Sequence, residues 1–238
     1  MPYLDFISDE KLIHCVMKVV HALENAERDA EKKIYSNAID PFSAVFDAHL
    51  HGLTLNDWLT TETVRQIQKT MQNALGVFHQ DILGSINGWQ DLGVGGVIDL
   101  VNDNKRMIAE IKNKYNTTKG NHKVKIYDDI KGLLLTAEYK GYTGYYVEII
   151  PKGKKAYDKP FVPSDNTVKD KQSKRRPENP CIRVIDGATF YDHASGKTGA
   201  LRALYSVLPK VIQDQTGRSN QKIMDDPLFF GIYHETYT

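Results

Sequence analysis

Residues Gly95–Lys114 read GGVIDLVNDNKRMIAEIKNK. Within them two apolar runs, Val97–Val101 and Arg106–Lys112, flank the polar turn Asn102-Asp103-Asn104-Lys105. That pattern predicts a β-hairpin. With Asp103-Asn104 as a two-residue loop, Asn102 pairs with Lys105 and Asp99 falls opposite Ile108. Alternate residues of a strand share a face, so Glu110 and Lys112 point the same way. Asp99 joins them diagonally, roughly 7–8 Å from Glu110 at the backbone. Two acids and one amine are thereby expected together, among Val97, Ile98, Leu100, Ile108, Ala109 and Ile111.

Like charges in apolar surroundings are costly unless something compensates them. A hard divalent cation does so, and Mg²⁺ typically holds one or two carboxylates, several waters and a substrate phosphate. Such a centre suits phosphodiester hydrolysis, with Lys112 orienting or helping to deprotonate the attacking water. The competing reading is a solvated Glu110–Lys112 pair beside an unrelated turn acid. A Lys-rich stretch immediately follows: Ile111–Tyr127 holds five lysines and no acid. Acids that need a cation, beside a surface that attracts phosphate, indicate a nuclease better than either alone.

Outward from the hairpin, apolar residues at helical spacing predict one or two helices over 9–35, a short one over Phe42–Leu50 and a long one over Thr61–Leu83. Val124–Thr136 reads as a helix and Gly144–Ile150 (GYYVEII) as a strand buried on both faces. Pro151–Pro180 is rich in Lys and Pro and reads as a loop or insertion. Ile182–Ile185 is a short strand and Lys197–Ile212 a helix. Helices at the start, strands in the middle and a closing helix add up to an α/β fold class behind a helical N-terminal region. The expected organisation is one domain over 1–238: a helical region over 1–60, a catalytic core over 61–150, and a loop and C-terminal part over 151–238 for DNA recognition.

The 238 residues, 41% hydrophobic and 26% charged, suit a globule and contain no apolar run long enough to span a membrane. Two cysteines, Cys15 and Cys181, exclude a disulfide framework or Cys-cluster zinc site and fit a reducing cytoplasm. No secretory signal is expected at the N-terminus. The net charge of +1 announces no nucleic-acid partner, but the charge is sorted along the chain. Besides Ile111–Tyr127, the stretch Lys169–Arg176 carries five basic residues against one Asp.

The segment GGVIDLVNDNKRMIAEIKNKYNTTKGNHK resembles the catalytic core of PD-(D/E)xK nucleases. With NAIDPFSAVFDA, RQIQKTMQN, FHQDILGSINGW, YYVEIIPK, FVPSDN and IRVIDGATFY, it is similar to the type II restriction endonucleases that cut GGNCC or GGWCC sites. The resemblance implies a central mixed β-sheet flanked by helices, Asp99 and Glu110 as metal ligands with the Ile111 carbonyl, and Lys112 as the catalytic amine. Ile98 stands where the family usually has Pro. It further implies Mg²⁺-dependent cutting of double-stranded DNA to 5′-phosphate ends, a homodimer, no ATP, and a separate methyltransferase completing a restriction-modification system. Alternatives are a structure-selective repair or junction nuclease of the same superfamily, and a DNA-binding module without catalysis.

Other residues carry weaker signals. Glu62 opens the predicted long helix, where the superfamily often adds an acid. A helix-start acid favoured by the dipole reads the same. His79-Gln80 follow helical spacing. Ser195-Gly196-Lys197-Thr198 imitates the end of a phosphate-binding loop, but Tyr191 stands where its glycine belongs. Gly93-Val94-Gly95-Gly96 reads as a flexible entry to the hairpin, and Glu148 as support for the site or an ion pair. Asn113, Lys114, Asn116, Thr117, Thr118 and Lys119 are expected to contact DNA phosphates. Lys174, Arg175 and Arg176 are the candidates for reading guanine.

Overall fold

Most of the described residues up to Ser85 are helical. In a computed structural model, which describes residues 1–34, 39–93, 95–165 and 175–238, the helices there are α1 (Asp9–Lys33), α2 (Pro41–His51) and α3 (Leu55–Ser85). The Asp40 side chain caps α2 through the Phe42 N–H. The helix α3 starts at Leu55, ahead of the expected Thr61, because Thr54 and Asp57 cap it reciprocally. The Asp57 N–H donates to Thr54 Oγ1 (3.1 Å) and the Thr54 N–H to Asp57 Oδ2 (3.3 Å).

The chain forms two compact units, Val16–Phe78 and a larger one of Met1–Cys15 with His79–Thr238. In the smaller, Ala44 and Ala48 pack on Trp58. The larger holds a six-stranded sheet of order β1-β2-β3-β4-β6-β5. Its strands are β1 (Gln90–Asp91), β2 (Leu100–Asn102), β3 (Met107–Lys114), β4 (Thr143–Ile150), β5 (Asp158–Pro160) and β6 (Ile182–Asp186). β3, β4 and β6 run parallel, whereas β1, β2 and the edge strand β5 pair antiparallel. This is the expected α/β class, with the apolar run of β4 at the sheet's centre.

The crossover from β3 to β4 is α4 (Gly120–Leu134), whose Ile126, Tyr127 and Ile130 cover Ile108, Tyr146 and Val184. Gly144 admits that contact, since a Cβ there would lie 2.2 Å from Ile130 Cγ2. After β6, Asp186 caps α5 (Gly187–Ser195) by accepting from the Thr189 N–H at 3.0 Å. α6 (Ala200–Thr216), α7 (Gln221–Asp225) and α8 (Pro227–Tyr237) follow.

Several expectations shift. The hairpin turn is Asp103–Arg106, not two residues, so Asn102 pairs with Met107 and Leu100 with Ala109. Asn102 Oδ1 accepts from the Lys105 N–H (2.9 Å), and Arg106 takes a left-handed φ of 51° while its carbonyl accepts from Thr143 N (2.9 Å). Those bonds hold the wider turn. Val97–Asp99 lie outside the strand. The expected helix over Lys197–Ile212 is α6, which tolerates Pro209 inside it. β1, β5, α5, α7 and α8 were not expected. β5 lies inside the supposed insertion, where Pro160 is acceptable because the strand is an edge. Among the described residues no helix is long and apolar enough to cross a membrane.

Candidate active site

The hairpin brings Asp99, Glu110 and Lys112 together within the larger unit. Asp99 sits one residue before β2, and its N–H reaches the Ala109 carbonyl (2.9 Å) although Leu100 is the residue in register with Ala109. This kink aims the Asp99 carboxylate along β3, where Oδ2 accepts the Ile111 N–H at 2.6 Å. Asp99 is therefore level with Glu110 and Ile111, not opposite Ile108. On the next residue of that face, Lys112 Nζ donates to Glu110 Oε1 at 2.5 Å.

Burial governs the electrostatics. It raises the Asp99 pKa, against the Ile111 N–H and the Lys112 charge, which lower it. Glu110 is pushed up to about 7 by burial first and by Asp99 second, with Lys112 opposing. Burial and the neighbouring Asp99 carboxyl both favour the protonated form of Glu110, while Lys112 favours the charged one. Two carboxylates thus crowd one ammonium, which is the donor set a divalent cation relieves. Among the described residues no group of three or more His, Cys, Asp or Glu side chains is arranged for a metal. A cation at this pair would draw its other ligands from backbone, water and substrate oxygens, as Mg²⁺ commonly does.

A neighbouring acid escaped sequence reasoning. Asp91, on β1, raises the Asp99 pKa and is held by Gln80 Nε2 and the Gly93 N–H, both at 2.8 Å. Only the pairing of so short a strand brings it close, and two residues give no periodic signal. A buried network lies on the other side. Glu148 accepts from Lys123 Nζ (2.6 Å) and from the Tyr157 hydroxyl, and Lys123 also donates to the Tyr115 carbonyl (2.9 Å). Among the described residues the Tyr146 hydroxyl, buried beside it, has no hydrogen-bond partner.

The remaining candidates scatter. Asn116, Thr117 and Lys119 are exposed, Asn113 and Lys114 half-buried, and Thr118 buried. Arg175 is exposed, whereas Arg176 is committed to Asp128 (2.7 Å) and Asp165 (3.2 Å). Lys174 lies outside the described residues, as do the rest of Lys169–Lys174 and Val94. Glu62 belongs to the smaller unit and is engaged by Arg65 Nε (2.6 Å) and Gln66 Nε2 (2.9 Å). The arginine holds its carboxyl below the usual range. It sits inside α3, not at its start. His79 bonds the Tyr191 hydroxyl (2.9 Å), and desolvation lowers its pKa to about 4. Ser195 closes α5, and the Ala200 N–H that opens α6 is already taken by Asp192 Oδ1 at 3.0 Å. That helix start already carries an acid.

Residues 4–216 match the family model described as Eco47II restriction endonuclease. The whole chain is 38% identical over 244 residues to the type II restriction enzyme Eco47II of Escherichia coli, covering 100% of both. It is 33% identical over 216 residues to the type II restriction enzyme Sau96I of Staphylococcus aureus, covering 89% of this chain and 80% of that one.

Proposed function

Because the chain belongs to the Eco47II restriction endonuclease family and is a type II site-specific deoxyribonuclease, we propose that Asp99, Glu110 and Lys112 are its catalytic centre. The supporting observation is the convergence of two mostly buried carboxyls and one amine on the hairpin face, with Glu110 near pH 7 in its ionisation. Asp99 and Glu110, with the Ile111 carbonyl, would hold Mg²⁺, in the manner of a PD-(D/E)xK core. A bound divalent cation supplies positive charge against the scissile phosphate and the attacking water. Asp99 is oriented for that task by the Ile111 N–H. Lys112, held by Glu110, places an ammonium where it orients the water and opposes charge building on phosphorus oxygens. Glu62 remains a candidate additional acid.

The substrate is double-stranded DNA carrying a GGNCC- or GGWCC-like site, cut to 5′-phosphate ends without ATP in the cytoplasm. A near-palindromic site is matched by a two-fold homodimer with one centre per strand. The whole chain acts as one restriction-endonuclease-like domain. Asn113, Lys114, Asn116, Thr117, Thr118 and Lys119 are assigned to the phosphates. Base recognition is assigned to 151–238, including Lys174, Arg175 and Arg176. The deciding experiment incubates phage DNA with the protein, with and without Mg²⁺, and sequences the ends. Discrete fragments ending at one sequence are expected only with Mg²⁺. Random nicking, or cutting confined to branched DNA, would overturn the reading.

A further inference from the structure

The row of charges around Lys112 contains one acid more than Lys112 can serve. The sheet register pairs Lys112 on β3 with Glu148 on β4. Partners in adjacent strands face the same side, about 4.8 Å apart. Lys112 therefore has a carboxylate on each side, Glu110 on its own strand and Glu148 on the next. Glu148 is only 6% exposed, and a carboxylate so buried draws the nearest cation. Yet Lys112 lies on Glu110, because Glu148 is already occupied by Lys123 from the first turn of α4. Lys123 is fixed in turn by the Tyr115 carbonyl at 2.9 Å, and its ammonium sits 5.1 Å over the Tyr146 ring.

We propose that Lys123 is a positioning residue for cleavage: by occupying Glu148 it leaves Lys112 on the Glu110 side of the site. A buried ion pair is a weak stabiliser compared with an apolar pair of similar volume. The value of this one lies in where it leaves the second ammonium. The proposal rests on Lys112 being the catalytic amine, and it makes the Lys123–Glu148 pair dispensable together but not singly.

The test compares Lys123→Met, Lys123→Arg and the double variant Lys123→Met/Glu148→Met, at a temperature where all three are folded. Lys123→Met should lower kcat by about 10–100-fold, the cost of misplacing a catalytic group by about an ångström. Its Kd for a short duplex carrying the cleaved site, measured with Ca²⁺ in place of Mg²⁺, should stay close to the original. Lys123→Arg and the double variant should both recover most of kcat. In metal-free protein, the ¹⁵N resonance of the Lys112 ammonium should move in Lys123→Met and return in the double variant. The proposal falls if Lys123→Met cuts at the original rate, if its loss appears in Kd, if the double variant is no faster than the single, or if the Lys112 resonance does not move. Lys112→Ala in the same assay tests the underlying reading separately, since continued cutting would remove Lys112 from catalysis whatever Lys123 does.

Discussion

Glu110 carries the conflict between stability and function. Its pKa in the folded chain is about 7 against an ordinary 4.5. The folded state thus binds this proton more tightly than the unfolded state. Stability from this group is complete below pH 4.5, falls as pH rises through 7 and levels off above. The full loss is about 3 kcal/mol. Glu110→Gln mimics the protonated form, so without metal it should be about 1–3 kcal/mol more stable than the parent at pH 8 and little different at pH 4. Denaturant titrations in EDTA read this directly. The same variant should cut at least about 100-fold more slowly, having lost a charge needed at the phosphate. A second expectation follows from the same ionisation. Adding Mg²⁺ or Ca²⁺ should raise Tm more at pH 8 than at pH 6, because below pH 7 the cation competes with the proton. It should not raise Tm in Glu110→Gln. An equal rise at both pH values would show that the cation binds elsewhere.

At the scale of elements, the hairpin explains why the site was legible although its turn was misread. The loop has four residues where two were expected, but a turn lengthened by two leaves the strands' inward and outward faces unchanged. Asp99 therefore stayed with Glu110 and Lys112 even as its neighbour changed from Ile108 to the Ala109–Ile111 stretch. Helical spacing carried the long helices α1 and α3, and a nearly continuous apolar run carried β4. Both signals are silent on two- and three-residue strands such as β1 and β5, and so Asp91 was missed. The junctions are equally silent, although they fix the packing. At Gly187, which opens α5, a Cβ would lie 2.4 Å from the Ile149 carbonyl oxygen, a backbone atom that cannot move aside. At Gly144 the clash is with Ile130 Cγ2, a side-chain atom on α4 that a shift of that helix relieves. Gly187→Ala should therefore cost about 2–3 kcal/mol and Gly144→Ala less, both by denaturant melts. The reverse order would mean that α5, not α4, yields.

At the scale of the whole molecule, a chain of net charge +1 attracts DNA only through the way its charge is spent. Of the five lysines between Ile111 and Tyr127, Lys112 is engaged by Glu110, Lys123 by Glu148 and Lys125 by Asp129. Among the described residues, Lys114 and Lys119 make no ion pair. The same sorting separates Arg176, tied to Asp128 and Asp165, from exposed Arg175. Counterion release makes each phosphate contact worth about 0.9 in the slope of log K against log salt. Lys114→Ala with Lys119→Ala should then weaken DNA binding uniformly across sequences and flatten that slope by about 1.8. Lys125→Ala, whose ammonium is held by Asp129 within α4, should leave the slope unchanged. Arg175→Ala, if Arg175 reads a base, should instead narrow the gap between cognate and non-cognate duplexes by about 1–3 kcal/mol at any salt concentration. Filter binding or anisotropy over a salt series on both duplexes distinguishes these outcomes. A slope that falls as much for Lys125→Ala as for the pair would mean that DNA sees only the summed charge of the segment, and that the ion pairs within it do not withhold lysines from the duplex.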